Sequence, residues 1–145
     1  MTEACHRPLL VLEDSDDDFD TLEEARRAAG LRNEVRRAIT GEACLELLRD
    51  GSVWPAVVLL DLNTPGLDGR ATLQEIKQDP ALRFLPVVVF TTSSNPRDLA
   101  FCYGAGANAY HVKPVRYPEH LQVVRALLGY WLGAVTLPGR ERPVT

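Results

Sequence analysis

Three apolar runs, each closed by a polar side chain, leave this chain few folds to choose from. Leu9-Leu10-Val11-Leu12 stops at Glu13-Asp14, Val57-Val58-Leu59-Leu60 at Asp61, and Val87-Val88-Val89-Phe90 at Thr91. A fourth segment, Asn108 to Val112, stops at Lys113-Pro114. Continuous runs this short fit strands covered on both faces, as in a parallel sheet. Between them the apolar spacing turns helical: Phe19, Leu22, Ala25 and Ala29; Ala43, Leu47 and Leu48; Leu73 and Ile76; Leu99 and Tyr103; and Leu121, Val124, Leu127, Leu128 and Trp131. Val35 and Ile39 flank a weaker, half-buried strand. Gly30 is a natural helix stop, Asp68 a cap, and Ser94-Asn95-Pro96 a cap followed by proline at the first helical position. Strand and helix alternate five times, which predicts an α/β fold with helices on both faces of a parallel sheet.

At 145 residues the chain is long enough for one domain and short for two. Residues 1–133 form the expected domain, and 134–145 read as a tail or dimerisation arm. The net charge is −4 and the basic residues, nearly all arginine, are scattered, so nothing points to a nucleic-acid or membrane surface. No run of 18 apolar residues is present, and the first residues lack a signal-peptide pattern. Cys5, Cys44 and Cys102 make an odd count without a CxxC pair, which argues against a disulfide framework or zinc and for a reducing, cytoplasmic setting. His6, His111 and His120 lack metal-ligand spacing.

In an open α/β sheet the ligand site lies at the carboxyl ends of the strands. Glu13, Asp14, Asp61, Thr91 and Lys113 would all meet there. A carboxylate can attack phosphorus and form an acyl phosphate. Asp61 is the candidate, because it ends the most apolar strand and opens onto a loop. Glu13 and Asp14 repel phosphate, so their use is to hold a hard cation. Magnesium fits, with Asp14, Asp61 and the Asn63 backbone carbonyl as oxygens and Glu13 acting through a water. Lys113 is a flexible point charge for a phosphate oxygen. The Thr91 hydroxyl could donate to another and turn towards it, and Tyr110 could fill or vacate space as Thr91 moves. Asp16, Asp17, Asp18 and Asp20 read as helix-capping and dipole-complementing residues.

Together Glu13-Asp14, Asp61 within Leu-Leu-Asp-Leu-Asn-Thr-Pro-Gly-Leu-Asp-Gly, Thr91 and Lys113-Pro114 resemble the receiver domain of two-component response regulators, over residues 8 to 132. The resemblance implies a doubly wound, flavodoxin-like sheet of order 2-1-3-4-5. It implies phosphorylation of Asp61 by a sensor histidine kinase, with magnesium at Glu13, Asp14 and Asp61. Thr91 and Tyr110 become the switch pair, and Lys113-Pro114 a peptide that is usually cis. Such proteins act as phosphoacceptors that assist their own phosphorylation and dephosphorylation rather than as enzymes. Asn63 and Ser93 match positions that tune hydrolysis; neither suits activation of water, which predicts decay over minutes. Glu13 stands where the family commonly has Asp, and His111 where it usually has an apolar residue or Thr.

The longer stretch from Asp61 to Arg70, then Glu75-Ile-Lys-Gln-Asp-Pro80 and Pro86-Val-Val-Val-Phe-Thr-Thr-Ser93, is similar to single-domain regulators paired with phytochrome-type kinases. This implies a red-light sensor as partner and a homodimer built on the last helices and the C-terminal extension. Separately, the final helix carries more apolar residues than one face needs, which makes Leu128, Trp131 and Leu132 plus the tail the expected patch. Output would come through protein–protein contact or onward phosphotransfer. A receiver-like module that never takes phosphate would be expected to lack one of the acids or the lysine, and all are present. A nucleotide-binding reading fails because Gly104-Ala-Gly106 precedes a strand instead of following one.

Overall fold

The computed structural model describes Ala4 and residues 6–139; Cys5 and residues 140–145 of the expected arm lie outside it. Strands β1 (Leu9–Leu12), β2 (Val35–Ala38), β3 (Val57–Leu60), β4 (Val87–Thr91) and β5 (Ala109–Val112) alternate with helices α1 (Asp16–Ala28), α2 (Gly41–Arg49), α3 (Gly69–Gln78), α4 (Pro96–Ala105) and α5 (Tyr117–Gly129). All strand pairs are parallel, in the order β2-β1-β3-β4-β5. The expected fold class and strand order both hold.

Successive strand residues point to opposite faces, so each apolar run supplies two cores. Leu10, Leu12, Val58, Leu60, Val87 and Val89 pack against Cys44, Leu45 and Leu48 of α2, Leu73 and Ile76 of α3, and Cys102 of α4. Leu9, Val11, Val57, Leu59, Val88 and Phe90 pack against Leu22 and Ala25 of α1 and Val124, Leu127 and Leu128 of α5. The edge strand β2 carries Arg36 and Arg37 and is only half-buried, as its weaker pattern suggests.

Helix starts follow the capping chemistry. Ser15, Thr40, Asp68 and Asn95 each accept a backbone N–H of the first turn through the side chain. Gly30 takes a φ of 70° just past α1, where a side chain would be strained. Beyond α5 a π-helical turn runs over Tyr130–Ala134, and the chain then continues extended. Leu137 is buried in the α1/α5 core, and Arg7 donates to the carbonyl of Pro138 at 3.0 Å and to that of Pro55. The tail therefore packs back across the domain at least as far as Pro138.

Candidate phosphoacceptor and metal site

The in-register ends of β1 and β3 bring the acids together. Leu12 pairs with Ala38 on one side and Leu60 on the other, the Asp61 N–H donates to the Leu12 carbonyl, and the Glu13 N–H to that of Ala38. Glu13 and Asp61 are buried and Asp14 is exposed. One carboxylate oxygen from each lies within 4.8 Å of the others. Three hard, anionic oxygens so placed fit a divalent cation of the magnesium class.

Lys113 crosses from the end of β5 to the same point. Its Nζ donates to Glu13 Oε1 at 2.6 Å, Asp18 Oδ2 at 2.7 Å and Asp61 Oδ2 at 2.9 Å. Its backbone N–H meets the Thr91 carbonyl at 2.6 Å, which ties β5 to β4 at the site. Burial works against the ammonium, but Asp18 and Glu13 outweigh it and raise the Lys113 pKa. Burial pushes the Glu13 carboxyl up to about 7 against the pull of Lys113. At Asp61 burial also raises, yet Lys113, the Asn63 N–H and the Thr91 hydroxyl bring the carboxyl below its ordinary value. The candidate nucleophile is thus held as the anion that attack on phosphorus requires.

The loop after Asp61 depends on Gly69. A Cβ there would lie 2.0 Å from the Asp61 carbonyl oxygen and 2.7 Å from the Leu62 Cα. The Asn63 N–H donates to Asp61 Oδ1 at 3.3 Å, while its side chain is exposed. Thr91 is fully buried, and its hydroxyl accepts the Ser93 N–H at 3.4 Å. The Tyr110 hydroxyl donates to the Ser93 carbonyl at 2.9 Å, so the two expected switch residues meet through Ser93.

Three placements depart from the sequence reading. Asp18 does more than flank a helix start: it is a third carboxylate on Lys113, because the first turn of α1 sits over the site. Among the described residues no peptide bond is cis, so Lys113-Pro114 is trans. Leu128 and Leu132 have no exposed surface and belong to the chain's own α1/α5 core. Trp131 alone of the expected dimer patch is partly exposed, with its ring edge-on to the exposed Tyr130 at 5.0 Å. His111 is half-buried and lines a cleft of about 360 Å³ with Asn108, Ala109, Ala126, Tyr130 and Trp131.

Two contacts at this edge carry no sequence signal. Arg37 of β2 donates to the Glu13 carbonyl at 2.9 Å, pairs with Asp16 at 2.8 Å and stacks on Phe19. Arg70 of α3 grips Asp98 of α4 through Nε at 2.7 Å and Nη2 at 2.8 Å, and Asp98 accepts the Ser93 hydroxyl at 2.6 Å. Both link residues distant in sequence, and only the folded chain brings them together.

The family model described as the response regulator receiver domain matches residues 9–125. The chain belongs to that family. Response regulator Rcp1 of Synechocystis sp. is 36% identical over 90% of this chain and 92% of its own length. The probable methanogenesis regulatory protein FilR2 of Methanothrix harundinacea is 34% identical over 90% of this chain and 87% of its own. The phosphorylated cyanobacterial phytochrome response regulator RcpA superposes with a TM-score of 0.88 at 34% identity, over 92% of this chain and 99% of that one. Rcp1 has been crystallised with Mn²⁺; that structure matches with a TM-score of 0.88 at 35% identity, over the same shares of the two chains. The receiver fold and its acidic divalent-metal pocket are therefore features of this chain, and its phytochrome-associated relatives are response regulators. Among the described residues no helix is long and apolar enough to cross a membrane.

Proposed function

We propose that this chain is a cytoplasmic response regulator that accepts a phosphoryl group on Asp61 from a sensor histidine kinase. An Asp61 carboxylate oxygen attacks phosphorus of the kinase phosphohistidine. The P–N bond breaks, the imidazole leaves with the electron pair, and an acyl phosphate forms. The observation that carries this reading is the Lys113 ammonium, 2.9 Å from Asp61 and buried among acids. Transfer of this kind rests on positioning and charge neutralisation. Lys113 is placed to exchange a carboxylate for a phosphoryl oxygen, and the Thr91 hydroxyl to donate to another. Glu13, Asp14, Asp61 and the Asn63 carbonyl would hold Mg²⁺, which when bound neutralises charge on the phosphoryl oxygens.

Likeness to Rcp1 and RcpA supports a phytochrome-type kinase as donor. The similar likeness to FilR2 makes that pairing a matter for direct phosphotransfer. Output through protein contact, with a homodimer formed at the α5 end around Trp131, completes the proposal; residues 134–145 would serve as its arm.

The test is intact-protein mass after incubation with acetyl phosphate and Mg²⁺. A gain of one phosphoryl group, absent in Asp61→Ala and with a chelator, is expected. No gain from acetyl phosphate or from a red-light-sensing kinase, in folded protein with metal bound, would leave a phosphate-independent interaction module.

A further inference from the structure

Ser93 stands two residues after Thr91, on the loop between β4 and α4, and each of its polar groups is engaged. Its N–H donates to the Thr91 hydroxyl at 3.4 Å, its carbonyl accepts the Tyr110 hydroxyl at 2.9 Å, and its own hydroxyl donates to Asp98 Oδ2 at 2.6 Å. Asp98 is itself clamped by the paired donors of Arg70. Arg70 belongs to the first turn of α3, and its Nη1 also lies 3.5 Å from the Leu62 carbonyl, one residue past Asp61. A fork-on-carboxylate pair fixes geometry as well as charge. The chain of contacts runs from the Asp61 loop through Arg70 and Asp98 to Ser93, and from there to both switch residues.

We propose that Arg70 and Asp98 are positioning residues that set the lifetime of the phosphoryl group on Asp61 by keeping the Ser93 hydroxyl committed to Asp98. The inference rests on the reading of Asp61 as acceptor. During decay a water oxygen bonds to phosphorus while the bond from phosphorus to the Asp61 oxygen breaks. Inorganic phosphate and the free carboxylate result, and the water proton passes to phosphate or solvent. A hydroxyl on the loop beside Thr91 can hydrogen-bond that water or a phosphoryl oxygen only when it is free. The short charge-assisted bond to Asp98 removes it from that task, and Arg70 keeps Asp98 in place to accept it.

Six proteins, the wild type and five variants, loaded with acetyl phosphate and Mg²⁺ and then freed of donor, give the decay rate by intact mass. Asp98→Ala is expected to shorten the lifetime about threefold or more, Ser93→Ala to stay near wild type, and the double variant to return to wild type, as coupled neighbours require. Arg70→Ala should shift the lifetime in the same direction as Asp98→Ala, with Arg70→Lys between it and wild type. Purely structural damage would not be repaired by removing a hydroxyl. An unchanged lifetime in Asp98→Ala, or a double variant that decays as fast as Asp98→Ala, overturns the proposal. Hydrogen exchange on the unphosphorylated proteins reads the latch independently of loading. The Ser93 amide, and the Asn95 amide that donates to the Ser93 hydroxyl at 3.3 Å, should exchange faster in Asp98→Ala and Arg70→Ala while β1 and β3 are unchanged, and equal exchange would also overturn it. Failure of the wild type to load at all would instead count against Asp61 as acceptor, and the inference would fall with it.

Discussion

Gly69 shows how one missing methyl group can fix a site. It sits in the motif after Asp61, yet its reason is visible only in the 2.0 Å that would separate a Cβ from the Asp61 carbonyl oxygen. Backbone cannot yield as a flexible side chain does. Gly69→Ala is therefore expected to push the end of β3 outward, at a cost of about 1–3 kcal/mol. Urea unfolding would read that loss, and Mn²⁺ titration should show weaker binding because Asp61 moves away from Glu13 and Asp14. Asp98 offers a second test. Arg70 and Ser93 hold its carboxyl down at about 2, below the ordinary aspartate value. A depressed folded pKa means that the unfolded chain takes up the proton first as pH falls. The stabilisation is complete above about pH 4 and is lost as pH falls from there through 2. The urea midpoint of the wild type should therefore drop more steeply over that window than that of Asp98→Asn. At this scale the sequence was a partial guide. Asp61, Thr91 and Lys113 could be read because each ends a strand, and strand ends converge by topology. The partnership of Asp18 with Lys113, and the Arg70–Asp98–Ser93 chain, could not, because each joins residues on separate elements by side-chain reach alone.

Among the elements, α4 is the weakly held one. It is capped at both ends, by Asn95 and by Gly106 at a φ of 105°, but it buries only Cys102. Leu99 and Tyr103, the apolar residues that the helical spacing picks out, are both exposed, together with Phe101. Apolar period locates a helix but does not say which stripe meets the sheet. The stripe on α4 is narrow, because only Cys102 is buried, with Ala105 partly buried against the same core. By contrast α5 buries His120, Val124, Leu127 and Leu128, and α3 buries Leu73 and Ile76 against the sheet. Few buried apolar contacts mean low local stability. Backbone amides within α4 are expected to exchange with a lower opening free energy than those of α3 and α5, measured by native-state hydrogen exchange. Equal protection across the three helices would show that the Arg70–Asp98 pair and the caps suffice to hold α4. The limits of most other elements were legible within a residue or two, because Ser15, Asp68, Asn95 and Gly30 each carry a local reason to start or stop a helix.

For the whole molecule, the described part of the tail, residues 134–139, packs against the domain. The tail segment lacks the periodicity that marks an element, so its sequence gives no sign of burial. Yet Leu137 is buried among α1 and α5 residues, and Val135 packs against the same core. Arg7 reaches both Pro55 and Pro138, while Asn33 donates to the carbonyls of Ala4 and Arg7 at 2.7 and 2.8 Å. These contacts close the face at the start of β1 and β3, opposite the phosphoacceptor edge. Removing residues 134–145 would bare that core and strip Arg7 of one acceptor. Leu137 and Val135 together would forfeit about 2–4 kcal/mol of burial. The truncated protein should melt several degrees lower while its Mn²⁺ affinity changes little, since the described tail contacts lie with Arg7 and the α1/α5 core rather than with the acidic cluster. If instead the tail serves only as an arm between copies, truncation would leave monomer stability intact and lower the sedimentation weight at tens of micromolar. Measuring both on the same protein separates the two roles. A lower melt with an unchanged sedimentation weight would assign the tail to the fold.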